Sequence, residues 1–158
     1  MYRAPNTQLI ELIIPATAGA NSTIYFQNQP QLQSVVGDKK IFIEAIEVFS
    51  SLSISGSPLT SGSPAATPAQ LLNGTLVLNV AGTLQFQFLP LNALNRMWVD
   101  PSTAGAADNN VHAKDLFMFE SLYQVDWTKS YVQLINAPAG APYSYLFNVY
   151  YRWDILGA

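Results

Sequence analysis

The stretch "TLVLNVAGTLQFQF", Thr75–Phe88, decides the fold class. Leu76, Leu78 and Val80 recur at every second position, as do Leu84, Phe86 and Phe88, with Gln85 and Gln87 between the latter. A period of two belongs to a pleated strand, whereas a helix would repeat near 3.6. Ala81-Gly82 lies between the two runs and reads as a tight hairpin turn. The expectation is a half-buried hairpin in which Leu76, Leu78, Leu84, Phe86 and Phe88 share one buried face.

The same grammar extends in both directions. Towards the N-terminus, "TQLIELIIP" (Thr7–Pro15) is rich in β-branched residues and stops at a proline, which suits a strand. In "NSTIYFQNQPQLQ" (Asn21–Gln33), Ile24–Phe26 form a short strand centre and Pro30 marks an edge or turn. Val36–Lys40 carries a turn signal and leads into "IFIEAIEVFS" (Ile41–Ser50). That run is apolar at both parities, so a central strand with both faces covered is expected.

Towards the C-terminus, "LPLNALNRMWVDP" has room for one helical turn. Strands are expected to resume in "LFMFESLYQVDW", "YVQLINAP" and "YSYLFNVYYRW". In the last, Tyr143, Tyr145, Phe147, Val149, Tyr151 and Trp153 share one parity, giving an aromatic ladder expected to be core.

Two long loops interrupt this pattern, near residues 51–73 and 99–115. The first contains Ser-Gly-Ser-Pro twice, at Ser55–Pro58 and Ser61–Pro64. Within it, Thr67 as N-cap, Pro68 at the first helical position and Gly74 as terminator outline a helical turn. The expected organisation is a single domain, residues 1–158, with a short N-terminal arm at 1–6. About eight strands without a long helix indicate an all-β fold, an antiparallel sandwich.

Composition narrows the function. Seven basic and ten acidic residues make up 11% of the chain, against about 25% in ordinary domains. Interface cores are depleted in charge and enriched in aromatics in this way, so homo-oligomeric assembly is the expectation. The net charge is −3 and no Lys/Arg cluster is present, which argues against direct nucleic-acid binding. With no cysteine, disulfides and thiolate metal sites are excluded. The apolar run after Arg3 is too short for a signal peptide, and no stretch approaches a membrane span. Asn21-Ser-Thr23 and Asn73-Gly-Thr75 match the glycosylation sequon, and without a signal peptide the expectation is a chance match.

Three constellations could carry chemistry. His112 lies near Asp108 and Asp115, but zinc sites use three or four His or Cys ligands and this chain has one such residue. Asp100, Asp108, Asn109, Asn110 and Asp115 supply oxygen ligands in one loop, yet their spacing does not fit a calcium-binding loop. Glu44 and Glu47 resemble a carboxylate pair, but on a strand they face opposite ways unless a bulge intervenes. Nucleophile-elbow and phosphate-loop patterns are absent from the sequence. The expectation is therefore a non-enzyme with no catalytic, cofactor or metal site.

The strand count, the long loop after the third strand and the closing aromatic strand look like a single jelly roll. That layout, in "KKIFIEAIEVFS", "LQFQFLPLNAL" and "YSYLFNVYYRW", together with the low charge, resembles small virion structural proteins of bacterial viruses: coat, penton and minor capsid subunits. The resemblance implies a structural subunit located in the virion that joins copies of itself and other virion proteins, with the Ser55–Gln70 loop reaching across to neighbours. The alternative from the same architecture is a β-sandwich recognition module that binds glycans or a host receptor.

Overall fold

The computed structural model describes residues 6–51, 71–81, 86–99, 111–113, 115–139 and 141–157. Among these described residues are eleven strands: β1 (Asn6–Ile14), β2 (Thr23–Tyr25), β3 (Val35–Val36), β4 (Lys39–Ser51), β5 (Gly74–Val80), β6 (Phe86–Pro90), β7 (Met97–Val99), β8 (Val111–Ala113), β9 (Met118–Tyr123), β10 (Val125–Leu134) and β11 (Tyr143–Ile155). One helical turn, Leu91–Leu94, follows β6. The expected helical turn in "LPLNALNRMWVDP" is therefore present. The Ser55–Gln70 loop lies outside the described residues.

The strands form two antiparallel sheets. One runs β1-β11-β4-β3, with β9 also pairing with β4; the other runs β2-β10-β5-β6. β7 and β8 make a separate two-stranded ribbon. Setting aside β3 and this ribbon leaves eight strands, as the sequence suggests. Those eight pair in a nested order: first with last (β1·β11), second with seventh (β2·β10), third with sixth (β4·β9), fourth with fifth (β5·β6). Two further pairings, β11·β4 and β10·β5, join the nested pairs into sheets.

The core lies between the sheets. From the first sheet come Ile10, Leu12, Ile14, Ile43, Ile46, Val48 and the β11 ladder Tyr143, Tyr145, Phe147 and Val149, all buried. The ladder is core from Tyr143 to Val149, as its single parity implies, while its last two members, Tyr151 and Trp153, are only partly buried. Across from it, Val132, Leu76 and Leu89 form one inward row on β10, β5 and β6. Phe26 ties the layers together: its ring lies 5.4 Å from Trp127 of one sheet and 5.3 Å from Phe147 of the other. Burying each such aliphatic side chain contributes about 1.5–3 kcal/mol.

Register corrects the opening hairpin. Leu76 pairs with Leu89, Val77 with Phe88 and Leu78 with Gln87. Even positions of β5 thus face odd positions of β6, so Leu76 and Leu78 cannot share a face with Phe88. Phe88 is 65% exposed, and Leu89 takes the inward place. Leu84 and the Phe86 side chain lie outside the described residues, as does the expected Ala81-Gly82 turn at Gly82. β5 is also buried on both faces, where one wet face was expected. The cause is local: Tyr131 and Phe88 flank Val77 in the same row, and the Asn79 amide is held by a buried serine hydroxyl.

Other boundaries shift too. "LFMFESLYQVDW" breaks at Gln124, and its tail Val125–Trp127 opens β10. The expected loop near residues 99–115 contains β8 at Val111–Ala113. Of the expected arm at 1–6, Asn6 already belongs to β1 and the rest lies outside the described residues. Gly37, with φ 62°, sits at the first central position of a two-residue hairpin between Val36 and Lys39, a place that favours glycine. Gly74 opens β5 beneath the helical turn, where a Cβ would come within 2.7 Å of Leu91 Cδ1.

Candidate functional site

The outward face of the four-stranded sheet carries a row contributed by four strands. Tyr25 (β2) pairs with Tyr131 (β10), Tyr131 with Val77 (β5), and Val77 with Phe88 (β6). The Tyr25 and Tyr131 ring centroids are 5.3 Å apart. Tyr25 is 58% exposed, and Phe88, two strands from Tyr131, is exposed as well. The adjacent row on this face is Thr23, Gln133, Thr75 and Pro90. Neither row contains a charged residue. Such a face sits on a rigid sheet, so its side chains are ordered before a partner arrives. Chemically it offers aromatic area, with hydroxyl and amide groups alongside. Val77, between the aromatic residues, is buried, so the accessible aromatic area lies at Tyr25 and Tyr131 at one end of the row and at Phe88 at the other.

The outward face of the other sheet is built differently. Ala45, Glu47, Ser144 and Leu146 project from it and are all buried. Glu47 Oε1 accepts from Tyr150 Oη and from Asn148 Nδ2, each at 2.8 Å, and Arg96 Nη1 lies 3.4 Å from Oε2. Arg96 comes from the segment between the helical turn and β7, so the cluster fastens that segment to β4. Burial and the Glu47 carboxylate push the Tyr150 hydroxyl above the usual tyrosine range.

Glu44 and Glu47 do share a face, against the simple strand expectation. Tyr150 pairs with Ala45 but Tyr151 with Ile43, so β4 holds one extra residue there. This bulge swaps the parity of β4: Ile41 and Ile43 point inward before it, Ile46 and Val48 after it. Each carboxylate is held by its own arginine, Glu44 by Arg152 at 3.7 Å and Glu47 by Arg96.

A second irregularity, with no signature in the sequence, lies in β10. Between the pairs Asp126–Asn79 and Tyr131–Val77, β10 spans four residues where β5 spans one. Ser130 is fully buried and closes the insertion: its hydroxyl donates to the Asp126 carbonyl at 2.7 Å and accepts from the Asn79 amide at 3.0 Å. Trp127 Nε1 donates to the Leu32 carbonyl at 3.1 Å. The Thr128 hydroxyl, and then Lys129, lower the Asp126 pKa below the ordinary carboxylate value. Beside this insertion lies a cleft of about 280 Å³ lined by Asn28, Gln33, Val35, Asp126, Trp127 and Thr128, among others. Its amides and carboxylate bond within the protein: Gln33 donates to Asn28, and Thr128 to Asp126.

The remaining candidates are dispersed. His112 lies on β8 opposite Trp98 of β7. Asp115 is exposed on the segment before β9. Asp100, Asp108, Asn109 and Asn110 lie outside the described residues. Among the described residues, no group of three or more His, Asp or Glu side chains could hold a metal ion, and no helix is long and apolar enough to cross a membrane.

No protein-family model matches the chain, and no curated protein or solved structure is significantly similar to it.

Proposed function

We propose that this chain is a structural subunit of a virus particle, a capsid or capsid-associated protein that assembles with copies of itself through low-charge interfaces. The observation that carries the assembly reading is the uncharged row Tyr25–Tyr131–Val77–Phe88, in which Tyr25 and Phe88 stand exposed on either side of the buried Val77. Surfaces with this composition become interface cores. The nested strand pairing supports the jelly-roll reading, because rolling up a long hairpin of four nested pairs generates that fold. The low charge of the whole chain and the resemblance to small virion proteins supply the particle.

Sedimentation velocity on the purified protein, followed by electron microscopy of whatever forms, tests the reading. A ring, shell fragment or particle is the expected result. A protein that stays monomeric at all concentrations and is absent from purified virions overturns it. The Tyr25–Tyr131 pair, with Thr23 and Gln133 beside it, also favours a second reading, stacking on the sugar rings of a neutral glycan. A monomer that binds oligosaccharide and loses binding on Tyr25→Ala would select that reading instead.

A further inference from the structure

We propose that β1 is a pairing edge, at which the five-stranded sheet continues into the same sheet of a second copy of this chain. The inference rests on the assembly reading above and names one of its interfaces.

Exposed strand edges present unpaired N–H and C=O groups, and proteins usually protect them with short strands, prolines, lysines or bulges. Among the described residues, three of the four edges of the two main sheets are protected in that way. β2 has three residues, β6 has five and ends in Pro90, and the far side of β4 is shared between the two-residue β3 and the irregularly registered β9. β1 is the exception. It runs nine residues, Asn6–Ile14, in unbroken register with β11. It contains no proline, lysine or arginine, and its only charge is Glu11. Among the described residues no strand pairs with its other side. Leu9 and Ile13 stand exposed on its outward face.

A row of outward-facing peptide groups is complementary to another extended backbone, and an antiparallel edge is complementary to itself under a two-fold rotation. Complete overlap of the two strands places the axis at Ile10. Leu9 then faces Glu11 of the second copy, and Thr7 faces its Ile13. The two Glu11 carboxylates are not opposite each other, so the arrangement avoids a destabilising like-charge pair. Uncharged side chains occupy every other cross-strand position of the pair.

The chain has no native cysteine, so a crosslink reads the register directly. Opposed strand residues have Cα atoms about 4.5–5.5 Å apart, within disulfide range, whereas diagonal neighbours at about 7–8 Å are out of range. A mixture of Leu9→Cys and Glu11→Cys chains should form a disulfide-linked dimer on mild oxidation, and Leu9→Cys alone should not. In sedimentation velocity, Leu9→Lys/Ile13→Lys should weaken association by about 100-fold. Both side chains are about half exposed in the subunit, and an unchanged circular dichroism spectrum shows that the fold persists. If wild type associates and the lysine variant associates equally well, or if the cysteine mixture fails to crosslink, the edge inference is overturned and the assembly reading stands. If wild type never associates, both fall.

Discussion

Glu44 and Glu47, three residues apart on one strand, project from the same face of β4 because a bulge lies between them. Arg152 and Tyr150, two residues apart on β11, meet them in turn. Glu47 is the deeper of the two and holds three partners: Arg96, Asn148 and Tyr150. Removing its carboxylate takes the acceptor from the part-buried Tyr150 hydroxyl and leaves the Asn148 amide only its 3.3 Å bond to Tyr150 Oη. Glu47→Ala should therefore cost about 2–4 kcal/mol. Arg96→Ala, whose side chain is 39% exposed, should cost about 1 kcal/mol or less. Urea unfolding of both variants checks this ordering, and equal losses would count against it.

Two tyrosines should set an alkaline limit on stability. Burial, and then the neighbouring Tyr143 hydroxyl, push the Tyr145 pKa above its ordinary value, and burial with Glu47 does the same to Tyr150. In both cases the fold favours the neutral phenol. The unfolded chain ionises first, near about pH 10, so the contribution is fully present below that pH and is lost as pH rises above it towards the folded values. Tyr145→Phe should flatten the loss of stability between about pH 9 and 11. Urea midpoints measured across that range decide it. A slope unchanged from wild type would show that other groups control the alkaline transition.

The hairpin register makes a sharp contrast available. Leu76 is fully buried while Phe88, one step along on the partner strand, is 65% exposed. Leu76→Ala should cost about 2–5 kcal/mol, whereas Phe88→Ala should stay within about 0.5 kcal/mol. Comparable losses at the two positions would mean that Phe88 is inward after all.

How much of this was legible follows from what a sequence encodes. Alternation along each strand is local, so "YSYLFNVYYRW" revealed its core face and "TLVLNV" its inward leucines. Register belongs to a pair of strands, and nothing in "TLQFQF" says which parity will face Leu76. Bulges are harder still. The apolar residues at both parities of "IFIEAIEVFS" read as a strand covered on two faces, and the parity swap after Ile43 is invisible without a partner. Ser130 was silent for the same reason: its partners, the Asn79 amide and the Asp126 carbonyl, are backbone groups. The outward row Tyr25–Tyr131–Val77–Phe88 draws one residue from each of four strands, so no single stretch of sequence displays it.

Ser130 should prove costly out of proportion to its size. From the far end of the β10 insertion, its hydroxyl satisfies a buried β5 amide and the Asp126 carbonyl, which are paired at the start of that insertion. Ser130→Ala should cost about 1–3 kcal/mol for the orphaned groups. Hydrogen exchange at the Asn79 amide should accelerate in the same variant, because that amide loses its acceptor. An amide that stays as protected as in wild type would show that another acceptor takes over.

Association, where it uses the uncharged outward row, should be insensitive to salt. Ion pairs between exposed groups are worth little and are screened, with a Debye length of about 3 Å at 1 M. The rows Tyr25–Tyr131–Val77–Phe88 and Thr23–Gln133–Thr75–Pro90 contain no charge to screen. Apolar burial instead strengthens in excluded salts such as sulfate. Oligomers measured by sedimentation velocity should therefore persist in 1 M sodium chloride and grow more stable in ammonium sulfate. Tyr25→Lys/Phe88→Lys should dissociate them at either salt concentration, since a lysine introduced on this face would have to be desolvated without a partner. Oligomers that fall apart in sodium chloride would mean that charged groups hold the subunits together, and oligomers that ignore the lysine substitutions would mean that this row is not an interface.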